Sequence, residues 1–129
     1  MQIIGLGTDI VEVDRIRKVL SSFDDHFKER LCTPGELAAA ERLKDQATYF
    51  AGRWAAKEAA AKALGCGIGE KCALTDIEIS NDPCGRPVMR FSGMAENTAS
   101  ALGVTDIKVS ISHEKHYAAA TVILSGNDD

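Results

Sequence analysis

One alanine-rich stretch constrains the fold of this chain more than any other part of its sequence. The run from Thr48 to Leu64 is rich in helix-forming residues, and Gly65 follows it as a left-handed helix cap. At about 100° per residue, its small side chains gather on one side, which can therefore approach a sheet closely. These small residues are Gly52, Ala55, Ala56, Ala59 and Ala63. We predict a long helix in close contact with a sheet.

The opposite arc of this helix is charged. Phe50 and Trp54 fall among the charges on the same projection, and we interpret this as an aromatic-walled, charged cleft. The charged residues are Arg53, Lys57, Glu58 and Lys62. An ordinary explanation is also open, because Glu58 and Lys62 have the i,i+4 spacing of a surface ion pair.

The rest of the chain alternates between strand and helix patterns. An apolar strand over residues 2–8 delivers Asp9 at its end, and the spacing of Val13, Ile16, Leu20 and Phe23 is helical. Thr33-Pro34-Gly35-Glu36 is a capping box that starts a helix to about residue 43. Further strands are expected over 74–80, 88–91, 107–112 and 117–124, with a helix over 93–102.

These elements predict the α+β class. The last two strands are adjacent and form an antiparallel hairpin, so we expect an antiparallel sheet packed against the long helix and shorter helices. We predict one domain over residues 1–124 and a polar tail over residues 125–129.

The composition excludes several classes of protein. The 129 residues contain no stretch of roughly 20 apolar residues, and the N-terminus lacks the pattern of a secretory signal. We therefore expect a cytoplasmic protein with no membrane segment, whose four cysteines are reduced. A net charge of −4 argues against nucleic acid as a general partner.

Two carboxylates stand close to cations in this pattern. Taken alone, Asp9 has the position of a helix cap or turn former, and Glu58 that of a surface ion pair. Together, however, two carboxylates and a phosphate oxygen suit Mg²⁺, although Mn²⁺ accepts the same oxygen ligands. Lys57 and Lys62 would then face a polyphosphate.

Ser112 and His113 place a hydroxyl and an imidazole at the end of a predicted strand. A functional role for His113 and a purely structural, hydrogen-bonded one are equally open at this point. They are not a nucleophilic pair, because adjacent residues of a strand point to opposite faces.

Three stretches together resemble the 4′-phosphopantetheinyl transferase family, in particular its small holo-acyl-carrier-protein synthase branch. They are Gly5-Leu6-Gly7-Thr8-Asp9, the run WAAKEAAAKALG from Trp54 to Gly65, and Ser110-Ile111-Ser112-His113 followed by Tyr117-Ala118-Ala119. The second stretch is the most specific, and the similarity extends over nearly the whole chain.

The resemblance implies a reaction and a set of roles. A serine of apo-acyl-carrier protein would attack the β-phosphate of coenzyme A, giving the holo-carrier and 3′,5′-ADP in support of fatty acid biosynthesis. Asp9 and Glu58 would hold Mg²⁺, and Lys62 would face the phosphates as a third catalytic residue. The residues assigned to the coenzyme pocket are Arg53, Lys57, Lys62, Gly85, Arg86, Pro87, Ser112 and His113. Glu58 and a water on the metal remain alternative general bases.

Two further expectations concern partners. The small branch of the family forms homotrimers with sites between subunits. Its carrier proteins are acidic, so the basic residues Arg15 and Lys18 of the first helix are candidates for carrier binding, although an ordinary solvated helix has the same appearance.

Two other functions fit parts of the pattern. A small nucleotide hydrolase would use the same two acids on Mg²⁺, and a non-catalytic trimeric ligand-binding or regulatory module would carry Glu58 and Lys62 as a surface pair.

Overall fold

The computed structural model describes residues 1–127, apart from the side chains of residues 23–25. Its elements are β1 (Gln2–Glu12), α1 (Val13–Leu31), α2 (Pro34–Ala40), α3 (Gln46–Leu64), a 3₁₀ turn (Leu74–Asp76), β2 (Ile77–Asn81), β3 (Pro87–Phe91), α4 (Gly93–Leu102), β4 (Val104–His113) and β5 (Tyr117–Gly126). The α+β class is confirmed.

The strands form two antiparallel sheets. The larger has the order β1-β5-β4, and the smaller is the β2–β3 hairpin. The predicted hairpin of the last two strands is confirmed as β4 and β5, which pair from Val104↔Gly126 to His113↔Ala118. Because β5 lies in the centre, it joins the first strand of the chain to the next-to-last one.

The register of the larger sheet determines which residues share a face. Residues paired directly across an antiparallel sheet point to the same side. Asp9 pairs with Ala120, which pairs with Ile111, and this row faces α3. Ile10 pairs with Ala119, which pairs with Ser112, and this row lies on the opposite face. We call these the helix-facing side and the outer side of the sheet.

Two glycines of β1 allow α3 to lie directly on the strand. A Cβ on Gly5 would overlap the Ala63 carbonyl oxygen, and one on Gly7 would overlap the Ala59 carbonyl oxygen. The strand advances about 6.6 Å over two residues and the helix about 6.0 Å over four, so the two backbones stay in step. The predicted close approach of the small side of α3 is therefore confirmed.

The ends of α3 follow the expected chemistry. The Thr48 amide donates to Asp45 Oδ1 (3.1 Å) at its start, and Gly65 ends it in the left-handed region at φ 80°. The capping box at α2 is also confirmed, because the Glu36 amide donates to Thr33 Oγ1 and the Thr33 amide donates to Glu36 Oε1.

Several boundaries differ from the predictions. β1 continues to Glu12, so Asp9 lies within a strand rather than at its end, and α1 continues to Leu31. β5 continues to Gly126, and Ser125 is buried rather than part of a tail. The Phe23 side chain, Asp128 and Asp129 lie outside the described residues. No helix within residues 1–127 is long and apolar enough to span a membrane.

The glycine contact gives a stability prediction. We expect Gly7→Ala to lower the free energy of unfolding by ~2 kcal/mol or more, because the new methyl group overlaps backbone that belongs to a rigid helix. Gly69→Ala is the matched control, since a Cβ there meets nothing within 4 Å, and it should change stability by less than about 1 kcal/mol. Urea unfolding of both variants checks this; equal stabilities would contradict the close contact.

Candidate active site

Asp9, Glu58 and Lys62 come together where β1 meets α3. The Lys62 Nζ donates to Asp9 Oδ1 (3.0 Å) and to the Thr8 carbonyl oxygen (2.9 Å). Helical side chains tilt towards the N-terminus of their helix, which explains how Lys62 reaches back to Asp9. The Asp9 side chain is 18% exposed and that of Lys62 is 53% exposed, so the cluster opens to solvent. Lys62 thus pairs with an acid of the sheet.

The Glu58 carboxyl is held in an environment that disfavours its charge. Burial raises its pKa, the nearby Asp9 carboxylate raises that pKa further, and Lys62 lowers it. One lysine therefore faces two carboxylates. An added cation would relieve the repulsion between these two acids.

The carboxylates of Asp9 and Glu58 suit a hard cation whose remaining ligands are water and substrate oxygens. No group of three or more His, Cys, Asp or Glu side chains within the described residues could hold a metal ion. Mg²⁺ commonly binds to one or two carboxylates and completes its shell with waters and phosphate oxygens. Asp9 and Glu58 provide such a pair.

Lys57 is a correction to the predicted phosphate-binding residues. Its side chain is 0% exposed, and its Nζ donates to the Leu31 carbonyl oxygen (2.6 Å) and to Glu36 Oε1 (2.7 Å). Glu36 Oε2 in turn accepts from the Ile79 amide (2.9 Å). A buried ammonium that is already neutralised does not face a polyphosphate. Lys57 instead joins α3 to α1, α2 and β2.

The aromatic-walled cleft is also corrected. Phe50 is 0% exposed and lies in the core, while Trp54 stacks on Phe27 with ring centroids 5.9 Å apart. The helical projection grouped these two aromatic residues with the charged ones, but it does not show that other elements pack on more than one side of α3. Only Glu58 and Lys62, of the four charged residues, lie at the junction with β1.

Arg53 and His113 share a second region of the molecule. Both line a cavity of about 300 Å³ between α3 and the end of β4. Arg53 is 8% exposed, and its Nε has no hydrogen-bond partner. The cavity wall also includes Lys44, Asp45, Thr48 and Tyr49. Two basic side chains and a histidine therefore border one opening.

Ser112 lies away from that cavity. It pairs with Ala119 on the outer side of the sheet, whereas His113 pairs with Ala118 on the helix-facing side. The two side chains therefore point in opposite directions, as the strand pattern predicts.

The Gly85-Arg86-Pro87 segment forms the turn between β2 and β3. Gly85 has φ 88°, a conformation that favours glycine, and the Gly85 amide donates to the Asp82 carbonyl oxygen (2.8 Å). Arg86 and Pro87 line a different cavity, of about 440 Å³, between β3 and β4. Neither of these two cavities is lined by both this turn and His113.

The predicted carrier-binding residues lie on the surface of α1. Arg15 and Lys18 are exposed, whereas the neighbouring Arg17 pairs with Asp14. Arg15 and Lys18 are three residues apart and so share one face of the helix.

Some contributors to the site were not predicted. The packing role of Gly5 and Gly7 has a sequence signal, because their two-residue spacing before Asp9 places all three on one face of a strand. Lys44 and Asn81 have no comparable signal. They take part only because the segment between α2 and α3 brings Lys44, and the β2–β3 hairpin brings Asn81, next to α3.

Comparison with known proteins agrees with this geometry. The family model described as the 4′-phosphopantetheinyl transferase superfamily matches residues 5–122. The holo-[acyl-carrier-protein] synthase of Vibrio parahaemolyticus is 48% identical over 124 residues, covering 96% of this chain and 98% of that protein.

Solved structures give the same result. The holo-[acyl-carrier-protein] synthase of Neisseria meningitidis superposes with a TM-score of 0.89 at 33% identity, over 95% of this chain and 98% of that one. The Bacillus anthracis enzyme, in complex with CoA (3′,5′-ADP), has a TM-score of 0.83 at 39% identity, over 98% and 100% of the two chains. The Helicobacter pylori enzyme in complex with coenzyme A has a TM-score of 0.83 at 34% identity, over 93% and 99%.

The match extends over nearly the full length of the chain and includes both strand β1 and helix α3, which build the acidic cluster. The chain belongs to the 4′-phosphopantetheinyl transferase superfamily.

Proposed function

We propose that this chain is a holo-[acyl-carrier-protein] synthase, which transfers the 4′-phosphopantetheine arm of coenzyme A to a serine of apo-acyl-carrier protein. The relatives that cover nearly all of the chain bear this name, and two of the similar structures contain coenzyme A or its 3′,5′-ADP part. The observation that carries the proposal is the cluster of Asp9, Glu58 and Lys62 at the junction of β1 and α3. By supplying the holo-carrier, the reaction would support fatty acid biosynthesis.

The reaction replaces a phosphoanhydride bond of coenzyme A with a phosphate ester bond to the carrier. The carrier's serine oxygen bonds to the β-phosphorus of coenzyme A, the bond from that phosphorus to the bridging oxygen breaks, and 3′,5′-ADP leaves. Lys62, whose half-exposed ammonium lies beside Asp9, would stabilise the negative charge that gathers on the leaving oxygen. The serine proton leaves to a base, for which Glu58 and a water are candidates.

Asp9 and Glu58 would hold Mg²⁺, or Mn²⁺ with the same oxygen ligands. Bound there, the ion would neutralise charge on the pyrophosphate so that the serine oxygen can approach. The two acids themselves contribute a fixed negative site on rigid elements, a strand and a helix. With the ion bound, that rigidity would hold the phosphates in one orientation.

The coenzyme pocket is proposed to include both faces of the β4 end. His113, together with Lys44 at the same cavity, offers cationic or hydrogen-bonding groups to a phosphate. Ser112 lies on the outer side, where a neighbouring copy of the chain would lie. Gly85, Arg86 and Pro87 are proposed to contact the adenine end.

A metal-binding prediction tests the acidic pair. Glu58→Gln should abolish transfer, and millimolar Mg²⁺ with coenzyme A should raise the melting temperature of the unaltered chain but not that of the variant, since the ligand then stabilises only the former. Transfer is measured by mass spectrometry as a gain of one phosphopantetheine on the apo-carrier, which also excludes a simple hydrolase.

Glu41→Gln is the control, because Glu41 is an exposed carboxylate elsewhere on the surface. Full activity in Glu58→Gln would contradict the proposed role of Glu58. Absence of transfer by the unaltered chain would instead favour a non-catalytic binding module.

A homotrimer is proposed from the outer side of the sheet. Leu6 and Ile10 are 65% and 66% exposed, although they lie in the same strand as the acid Asp9. Large apolar side chains on an open sheet face commonly mark an interface. We expect sedimentation to give the mass of three chains, and Ile10→Lys to lower that mass and the activity together. A fully active monomer would contradict this assembly.

Arg15 and Lys18 are proposed to bind an acidic carrier protein. We expect Arg15→Glu to raise the KM for the carrier about tenfold at low salt and to leave the KM for coenzyme A unchanged, because Arg15 is an exposed residue of α1 whereas the metal-binding acids belong to β1 and α3. Lys71→Glu makes the same change of charge at another exposed position and should have little effect. An unchanged KM for the carrier in Arg15→Glu would discard the patch.

A cytoplasmic location is proposed from the cysteines. Cys32, Cys66, Cys72 and Cys84 are free thiols, as expected in a reducing compartment. Burial raises the pKa of Cys32 and of Cys72 to about 12, so these two thiols resist oxidation. Cell fractionation that recovers the chain in an oxidising compartment would contradict this.

A further inference from the structure

The turn between β2 and β3 is closed mainly by its own backbone and Asp82. Asp82 Oδ1 accepts from the amides of Cys84 and Arg86, both at 2.9 Å, and the Asp82 amide donates to the Arg86 carbonyl oxygen (2.9 Å). These bonds define the shape of the turn. They do not fix where the turn lies relative to the helix that carries the acids.

The Asn81 side chain connects the turn to α3. Asn81 Nδ2 donates to the Gly85 carbonyl oxygen (2.9 Å), and Asn81 Oδ1 accepts from Arg53 Nη2 (3.1 Å). An asparagine suits this place because its amide donates and accepts at the same time. Its two hydrogen bonds therefore lead from the helix to the first residue of the Gly85-Arg86-Pro87 segment.

The helix end of this connection is rigid. The Arg53 guanidinium carbon lies 4.3 Å from the centre of the Tyr49 ring, and the Tyr49 hydroxyl donates to the Glu36 carbonyl oxygen (3.1 Å). Arg53 is 8% exposed, so little of it can reach a ligand directly. A guanidinium stacked on a ring and nearly enclosed has few alternative positions.

We propose that Asn81 is a positioning residue for coenzyme A, and that Arg53 acts chiefly through Asn81 by holding the Gly85–Pro87 turn at a fixed place relative to α3. This inference rests on the proposed function, since it assigns a role towards the coenzyme of that reaction. It refines the role of Arg53 as well, from a direct coenzyme ligand to the anchor of a loop that contacts the coenzyme.

The connection through Asn81 would link the sites for two parts of coenzyme A, the adenine end at the turn and the pyrophosphate at the acids. Arg53 and Glu58 lie five residues apart on α3, about 7.5 Å along its axis. The connection from Arg53 therefore ties the turn to the same helix that carries Glu58, one of the two acids that would hold the metal ion beside the pyrophosphate. Releasing the turn would weaken coenzyme binding and leave the acidic cluster intact.

The experiment compares Asn81→Ala, Asn81→Asp, Arg53→Ala and the double variant Arg53→Ala/Asn81→Ala. In Asn81→Ala we expect the KM for coenzyme A to rise about tenfold, with kcat within about twofold and the KM for the carrier unchanged. Asn81→Asp should behave similarly, because it keeps the acceptor for Arg53 but loses the donor to Gly85. Asn97→Ala, at an exposed asparagine of α4, is the matched control and should retain the original constants.

The double variant separates an anchor from a direct ligand. If Arg53 acts through Asn81, the double variant should bind coenzyme A no more weakly than Arg53→Ala alone. Hydrogen exchange supplies a readout independent of activity: the amides of Gly85 and Arg86 should exchange faster in Asn81→Ala, with those of α3 unchanged.

If the unaltered chain transfers phosphopantetheine normally, two results would overturn this inference and leave the proposed function standing. One is an unchanged KM for coenzyme A in Asn81→Ala, and the other is additive effects of Arg53→Ala and Asn81→Ala on coenzyme A binding. Failure of the unaltered chain to transfer phosphopantetheine would instead overturn the proposed function and this inference with it.

Discussion

The backbone of β1 packs directly against the carbonyl oxygens of α3, and the acids of the candidate site lie beside this contact. Gly5 and Gly7 leave no side chain between the strand and Ala63 and Ala59. At any larger separation, the next residue on the same face, Asp9, would not receive a hydrogen bond from Lys62 and would act less strongly on Glu58. The chemistry of the site follows from the absence of two side chains.

The other side of α3 is held as firmly by polar groups. Lys57 and Glu36 form a buried ion pair, and Glu36 also accepts from the amides of Thr33 and Ile79. Breaking such a pair commonly costs about 3–5 kcal/mol, because one charge is left buried without its partner. Neighbouring residues of one helix therefore have opposite tasks: Lys57 fixes the helix in the interior, and Glu58 faces the acid of the sheet.

Much of the fold could be predicted from local patterns. The helix α3, its glycine cap, the capping box at Thr33 and the terminal hairpin each depend on residues that are close in sequence. The burial of Lys57 could not be predicted in this way. A helical projection shows which residues share an arc, but it does not show that α1, α2 and β2 cover that arc. The same limit applies to Asn81, whose role depends on a hairpin reaching the helix.

We propose that Asp9 and Glu58, which are distant in sequence, bind one divalent ion. Anomalous diffraction at the manganese edge, from crystals grown with Mn²⁺ and coenzyme A, would locate such an ion. We expect one peak within bonding distance of both carboxylates and beside the pyrophosphate. Bound coenzyme with no peak there, or with an ion that only one of the two acids contacts, would contradict it.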